Sequence, residues 1–328
     1  MRVKTIKRRG NFPAEALRSA GLEAEEKALA WVVRHRDDFN PLIHSNVQRL
    51  KLAVKAAAEL SLVCSLACTS RRSDVPRQVY SELAAYIWDE VFKNEAMQEF
   101  LLSNPSGLPS YSLYVSLSQC GYEDAPFRKK LEALLEDGYL RAVECVPSMQ
   151  MDLAYNLTLM GRLPDDLSIS ELYKQSFLAR HPSLYPLTIA DAYTVTHTLF
   201  FVTEFGRARA SCFSAADETY FRVALPRLLA YYLRRGNWDL SAEFLLALRV
   251  LGLEGLPVYQ HGWMLLFIAQ NPDGSFSGPV TEEMEGFGET ARRSATEADA
   301  DDGDQAWVSF RNDYHTTLAV LLAMEAAL

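Results

Sequence analysis

Residues 188–206 read TIADAYTVTHTLFFVTEFG, and residues 238–252 read WDLSAEFLLALRVLG. Each is an apolar run with helical spacing, closed by a glycine. A third such run, residues 148–160, closes on Gly161. The three terminating glycines, Gly161, Gly206 and Gly252, lie 45 and 46 residues apart. A repeat of that length is one helical hairpin, and stacked hairpins either stay open as a solenoid or close into a ring.

Outward from this core the same pattern continues. Helical periodicity covers residues 14–36, 45–68, 76–102, 110–119, 126–138, 148–160, 168–179, 188–205, 215–234, 238–251, 257–270 and 306–327. Breakers separate these runs, among them Gly121, Gly138, His181-Pro182, Gly236 and Asn271-Pro272-Asp273-Gly274. No alternating run bounded by turn residues marks a strand. The chain therefore reads as all-α, with about six hairpins over residues 14–328 forming one domain. Residues 1–13 form a basic extension (Arg2, Lys4, Lys7, Arg8, Arg9), and residues 275–304 a long acidic loop.

The 328 residues carry 33 Lys and Arg against 42 Asp and Glu, a formal net charge of −9. Phosphate neutralisation needs clustered basic residues, so this balance argues against nucleic acid as a partner. The longest apolar stretch, residues 51–68, is interrupted by Lys55 and Glu59, which argues against a membrane span. No apolar segment follows the basic N-terminus, so it does not read as a secretory signal. Five widely spaced cysteines (Cys64, Cys68, Cys120, Cys145, Cys212) do not form a disulfide framework, and the expected location is the cytoplasm.

Two C-terminal segments carry a resemblance. Gln270-Asn271-Pro272-Asp273-Gly274-Ser275-Phe276 is similar to a turn that recurs in terpene cyclases and protein prenyltransferases. Asp313-Tyr314-His315-Thr316-Thr317 resembles the segment that opens the last inner helix of prenyltransferase beta subunits. The middle of the chain, at Asp152-Leu153-Ala154-Tyr155 and residues 196–206, resembles an uncharacterised actinobacterial all-helical family found with natural-product pathways. These resemblances imply an α/α toroid, in which inner helices line a funnel and outer helices wrap it. The prenyltransferase resemblance makes Asp313, Tyr314 and His315 candidate catalytic residues; the actinobacterial family implies fold and context but no mechanism, and Asp152, Tyr155 and Glu204 within its segments are candidates for substrate contact.

In such a toroid the N-termini of the inner helices point to one end, so His197, Asp239, His261 and His315 are candidates to meet at the funnel rim. The resembled prenyltransferases hold zinc with Asp, Cys and His. Only His315 matches that set; Asp239 is the candidate carboxylate, and the Asp-Gly-Cys element is missing. Zinc at His315 and Asp239, with one open position, would give a catalytic geometry. Against this stands the plain alternative of hydrogen-bonded residues at helix ends. Asp299-Ala300-Asp301-Asp302 matches the acid string of class II terpene cyclases, but it lies in a run of nine acids, where such a match arises by chance. The aromatic residues Tyr155, Tyr193, Phe200, Phe201 and Trp263 suit either a hydrophobic funnel or packing between two helix layers. No Walker, dinucleotide-binding, nucleophile-elbow or zincin motif is present.

The expectation is an enzyme of specialised metabolism. It would bind a hydrophobic small molecule or carrier-bound intermediate and catalyse cyclisation, isomerisation or group transfer at the rim. The alternative is a non-catalytic helical-repeat scaffold in the same kind of pathway.

Overall fold

The computed structural model describes residues 14–70, 72, 76–103, 108–136, 144–185, 187–279 and 305–327. The basic extension, the acidic string at residues 299–302 and most of the acidic loop lie outside the described residues. Among the described residues every regular element is a helix. They are α1 (Ala14–Arg34), α2 (Val47–Cys68), α3 (Arg77–Tyr86), α4 (Glu95–Ser103), α5 (Leu108–Gln119), α6 (Ala125–Glu136), α7 (Pro147–Leu159), α8 (Ile169–Gln175), α9 (Ile189–Val202), α10 (Ala215–Arg235), α11 (Trp238–Val250), α12 (Pro257–Ala269) and α13 (Gln305–Ala327).

Two expected helices are subdivided. The run expected over 76–102 is α3, a π-helical turn at Ile87–Phe92 and then α4, which restarts where Asn94 Oδ1 accepts the Met97 amide at 3.3 Å. The run expected over 188–205 ends at Val202. Glu204 and Phe205 then adopt left-handed φ values of 49° and 55°. Thr203 holds this tight turn, its hydroxyl donating to Leu199 O at 2.7 Å and accepting from the Gly206 amide at 3.3 Å. Gly161, Gly206 and Gly252 have φ of 69°, 87° and 68°, the conformation that ends a helix most easily without a Cβ.

The helices fall into two sets. α2 packs on α5, α5 on α7, α7 on α9, α9 on α11, α11 on α13, and α13 back on α2. The remaining helices lie outside this cycle: α3 on α2, α4 on α5, α8 on α7 and α9, α10 and α12 on α11, and α1 on α12 and α13. α7, α9 and α11 run parallel, because contacts advance together along the partners. Tyr155 meets Phe201, Tyr193 meets Asp239 and His197 meets Glu243, each pair 46 residues apart. The repeat length read from the glycines is thus the register between these three inner helices.

The core between the two sets is continuous from Ala24 to Met324. α11 is enclosed on every side, with Asp239 to Leu248 all buried. Each fully buried Leu or Phe there contributes roughly 1.5–3 kcal/mol. The Gln270–Phe276 turn fastens the outside of the ring. Gln270 donates to Ala24 O (2.9 Å), the buried Phe276 donates its amide to Thr317 Oγ1 (2.9 Å), and Gly274 presses on Lys27, where a Cβ would meet the carbonyl oxygen at 2.2 Å. At the C-terminal end of the ring, Arg207 crosses from the end of α9 to α2. It donates to Leu66 O at 3.2 Å and to Thr69 Oγ1. No described helix is long and apolar enough to cross a membrane.

Candidate functional site

The first turns of α2, Val47 to Leu52, are accessible all round; from Ala53 on the helix is buried except at Lys55, Glu59, Leu62 and its last residue, Cys68. The four- and three-residue spacing of Lys55, Glu59 and Leu62 puts them on one stripe. That stripe faces the interior of the ring. Lys55 Nζ lies 3.4 Å from Glu59 Oε1, and Glu59 Oε2 lies 3.0 Å from His315 Nδ1 on α13. The other ring nitrogen, His315 Nε2, is 3.5 Å from Asp239 Oδ2 on α11. Tyr193 of α9 donates its hydroxyl to the same Asp239 oxygen.

A second branch continues along α9 and α11. Thr196 donates to Glu243 Oε2, and His197 Nε2 is 3.3 Å from Glu243 Oε1. Asp152 of α7 faces His197 and accepts Asn156 Nδ2 at 2.9 Å. Side chains from five of the six inner helices therefore form one polar network. The His315 ring is 31 % exposed and the His197 ring 45 %, while the Asp239 side chain is 1 % exposed. The two imidazoles are reached by water from inside the ring, and Asp239 sits in the wall behind them.

The network perturbs its members strongly. Burial opposes a charged His315, but the Glu59 and Asp239 carboxylates outweigh it and raise the imidazole to about 9. Burial likewise opposes ionised Glu59, yet His315 and Lys55 draw it down to about 2. For Asp239, burial dominates; His315 counters it, Glu243 reinforces it, and the carboxyl stays above the usual range. Burial pushes Asp152 up to about 6 against the pull of His197 and Asn156. Burial lowers His197, but Glu243 and Asp152 overcome that and raise it. Tyr193 is raised by burial and by the Asp239 charge. Glu59 and His315 are thus held as an ion pair, whereas the Asp152 carboxyl, beside His197, is the group moved toward neutral pH and suited to proton exchange with a bound ligand.

Beside His197 the network adjoins a buried aromatic cluster of Tyr155, Phe200, Phe201 and Phe205. Tyr155 lies 5.8 Å from Phe201 and 5.5 Å from Phe205, and Phe200 stacks on Phe205 at 5.5 Å. Large apolar side chains are exposed where inner helices begin: Ile43 and Val47 before and at the start of α2, Val146 and Met149 at α7, and Tyr185 before α9. A separate cleft of about 300 Å³ opens on the outside, between Arg209, Phe213, Arg222 and Leu253.

Of the residues singled out in the sequence, His197, Asp239, His315, Tyr193 and Asp152 meet in the network. Tyr155, Phe200 and Phe201 are buried in the aromatic cluster beside His197, and Glu204 lies in the left-handed turn after α9. Four expectations are corrected. His315 does not open the last helix but lies mid-way along α13, because periodicity begins at Gln305. His261 is on the outer helix α12, exposed, and bonded to Pro257 O at 2.9 Å. Trp263 is buried on the same outer helix between Tyr259 and Phe267. Asp313 points away from the lumen, 3.5 Å from Ser275 and Ser309, and Tyr314 packs on Phe39 and Phe310. A step of two along a helix turns a side chain by about 200°, so Asp313 and His315 cannot share a face.

Sequence reading missed Lys55, Glu59, Thr196 and Glu243. Their signal was present: Lys55 and Glu59 are the charges that interrupt an apolar helix at i and i+4, and Asp239 and Glu243 repeat that spacing on α11. Charges kept on an otherwise buried helix are costly unless paired or functional.

Residues 25–324 match the family described as a domain of unknown function, DUF6895, and the chain belongs to that family. No curated protein matches the chain, and no solved structure does.

Proposed function

We propose that the protein is an enzyme of specialised metabolism that takes a hydrophobic small molecule, free or carrier-bound, into the interior of an α/α toroid. On this reading the closed cycle of inner helices corresponds to the toroid of terpene cyclases and prenyltransferase beta subunits. The reaction class is cyclisation, isomerisation or group transfer by proton movement, in the cytoplasm. One observation carries the proposal: titratable side chains from α2, α7, α9, α11 and α13 converge in one network around two imidazoles that remain part-exposed, beside a buried aromatic cluster.

His197 and Asp152 are the proton-handling pair. Both face the lumen, and a carboxyl raised to about 6 exchanges its proton near neutral pH. Tyr193 and Asp239 fix the adjacent wall, and the buried Tyr155, Phe200 and Phe201 back His197 with an apolar layer.

The test is incubation of purified protein with linear isoprenoids of one chain length as the hydrocarbon, alcohol and diphosphate, followed by mass spectrometry. The expected result is a product of altered mass or retention, with Asp152→Asn and His197→Gln lowering kcat about 10²–10⁴-fold. Ligand-induced quenching of tryptophan fluorescence without any product would favour the non-catalytic scaffold instead. Neither quenching nor product would remove the hydrophobic-ligand reading.

A further inference from the structure

We propose that Asp239, Glu243 and His315 bind a single divalent transition-metal cation on the wall of the lumen, with Glu59 orienting His315. The cluster is compact: one donor atom from each of the three residues lies within 4.8 Å of the others. Asp239 and Glu243 are one helical turn apart on α11, and His315 approaches from α13, the helix most closely packed against it. Three donors on two rigid helices need little reorganisation to close on an ion.

A second observation points to a ligand. Asp239 is completely buried; its Oδ2 accepts from Tyr193 and lies 3.5 Å from His315 Nε2, while its Oδ1 has no hydrogen-bond partner. Leaving one oxygen of a buried carboxylate unsatisfied is costly, and a cation bound by the carboxylate as a bidentate ligand would remove that cost. The orientation of His315 agrees. Its Nδ1 is engaged by Glu59 at 3.0 Å, so Nε2 is the atom turned toward Asp239. A carboxylate behind a histidine, fixing the ring so that the far nitrogen faces the ion, is the usual outer shell of a metal-bound imidazole.

The donor set selects the class of ion. One imidazole with two carboxylates is a mixed nitrogen–oxygen set, suited to zinc and its first-row neighbours. Calcium and magnesium prefer oxygen throughout, and copper(I) prefers sulfur. Three protein ligands leave a position open, and the accessible edge of His315 puts it on the lumen side. There the ion would polarise a ligand oxygen or a bound water beside His197. This inference rests on the lumen being the site of chemistry, and it fails separately from the reaction proposed above.

The test is titration of chelator-stripped, full-length protein with Zn²⁺ by calorimetry, and with Co²⁺ by visible absorption. The expected result is one equivalent bound, with the intense visible bands of cobalt in a low-symmetry protein site. Glu243→Gln and His315→Ala should each weaken binding at least tenfold, and Glu59→Gln about 10–100-fold. His261→Ala, on the outer wall, should bind like the wild type. Circular dichroism separates lost binding from lost folding. Absence of a saturable one-equivalent site in the folded wild type would overturn the proposal. So would undiminished binding in a folded Glu243→Gln/His315→Ala double variant. Metal bound without turnover keeps the ion site and removes the enzyme; turnover in stripped protein keeps proton chemistry and removes the ion's role in it.

Discussion

Asp152→Asn should make the protein more stable, and only at higher pH. The Asp152 carboxyl is raised from an ordinary 3.8 to about 6, chiefly by burial. Below pH 3.8 it is protonated in both folded and unfolded chains and has no effect on the balance. Between pH 3.8 and 6 the unfolded chain releases the proton and the folded chain does not, so stability falls as pH rises. Above pH 6 the deficit is constant. A difference of about 2 pKa units at 1.36 kcal/mol each gives at most about 3 kcal/mol, reduced by screening from lumen water. Asparagine keeps the shape and can still accept from Asn156, so it removes the charge with little loss of packing. The variant should gain up to about 3 kcal/mol at pH 8 and about half of its pH 8 gain at pH 5. With an unfolding entropy of about 2.1 cal/mol/K per residue, the pH 8 gain raises Tm by up to about 4 °C. Urea unfolding at the two pH values reads the gap directly. A variant no more stable than wild type at pH 8, or a gap that does not change with pH, refutes the argument. A gain in stability with a loss of turnover is the expected mark of a residue retained for chemistry.

Three further perturbations test other parts of the structure. Gly274→Ala places a Cβ against Lys27 O in a backbone with φ of 98°, and should cost more than about 2 kcal/mol in thermal unfolding. Arg207→Ala removes the link from the end of α9 to the last carbonyls of α2; a loss of about 1.5–3 kcal/mol and faster hydrogen exchange at Leu66 to Thr69 are expected. Glu325 is raised to about 7 by burial, despite Arg72 at 3.5 Å, so Glu325→Gln should stabilise the chain above pH 7 and have little effect below pH 4.5.

The helices were legible because their signals are local. Apolar spacing and terminating glycines are written in the sequence, and helix positions agree with periodicity to within a few residues across α7 to α12. The 45–46-residue interval was legible for a deeper reason, since the register between α7, α9 and α11 repeats with it. The left-handed turn at Glu204 and Phe205 was not, because neither residue type favours positive φ and only the Thr203 contacts hold it. Within the site, His197, Asp239 and His315 stood out as polar residues among apolar ones. Glu59 and Lys55 went unrecognised because a charge pair at i and i+4 also describes any solvated helix face. Their partner His315 lies 256 residues away from Glu59, and nothing local announces that contact. The same limit explains His261 and Trp263: apolar helices of the inner and outer layers have similar compositions, and only the packing order separates them.

The central claim about the network, that Asp239, Glu243 and His315 form a ligand site for a metal ion inside the ring of helices, is tested most directly by anomalous X-ray diffraction. Crystals of full-length protein grown with Zn²⁺ and no chelator would be measured on both sides of the zinc absorption edge. The account predicts a single strong anomalous peak bounded by Asp239, Glu243 and His315 Nε2, with Glu59 behind the ring. A lumen without such a peak, with His315 Nε2 bonded directly to Asp239, would contradict it.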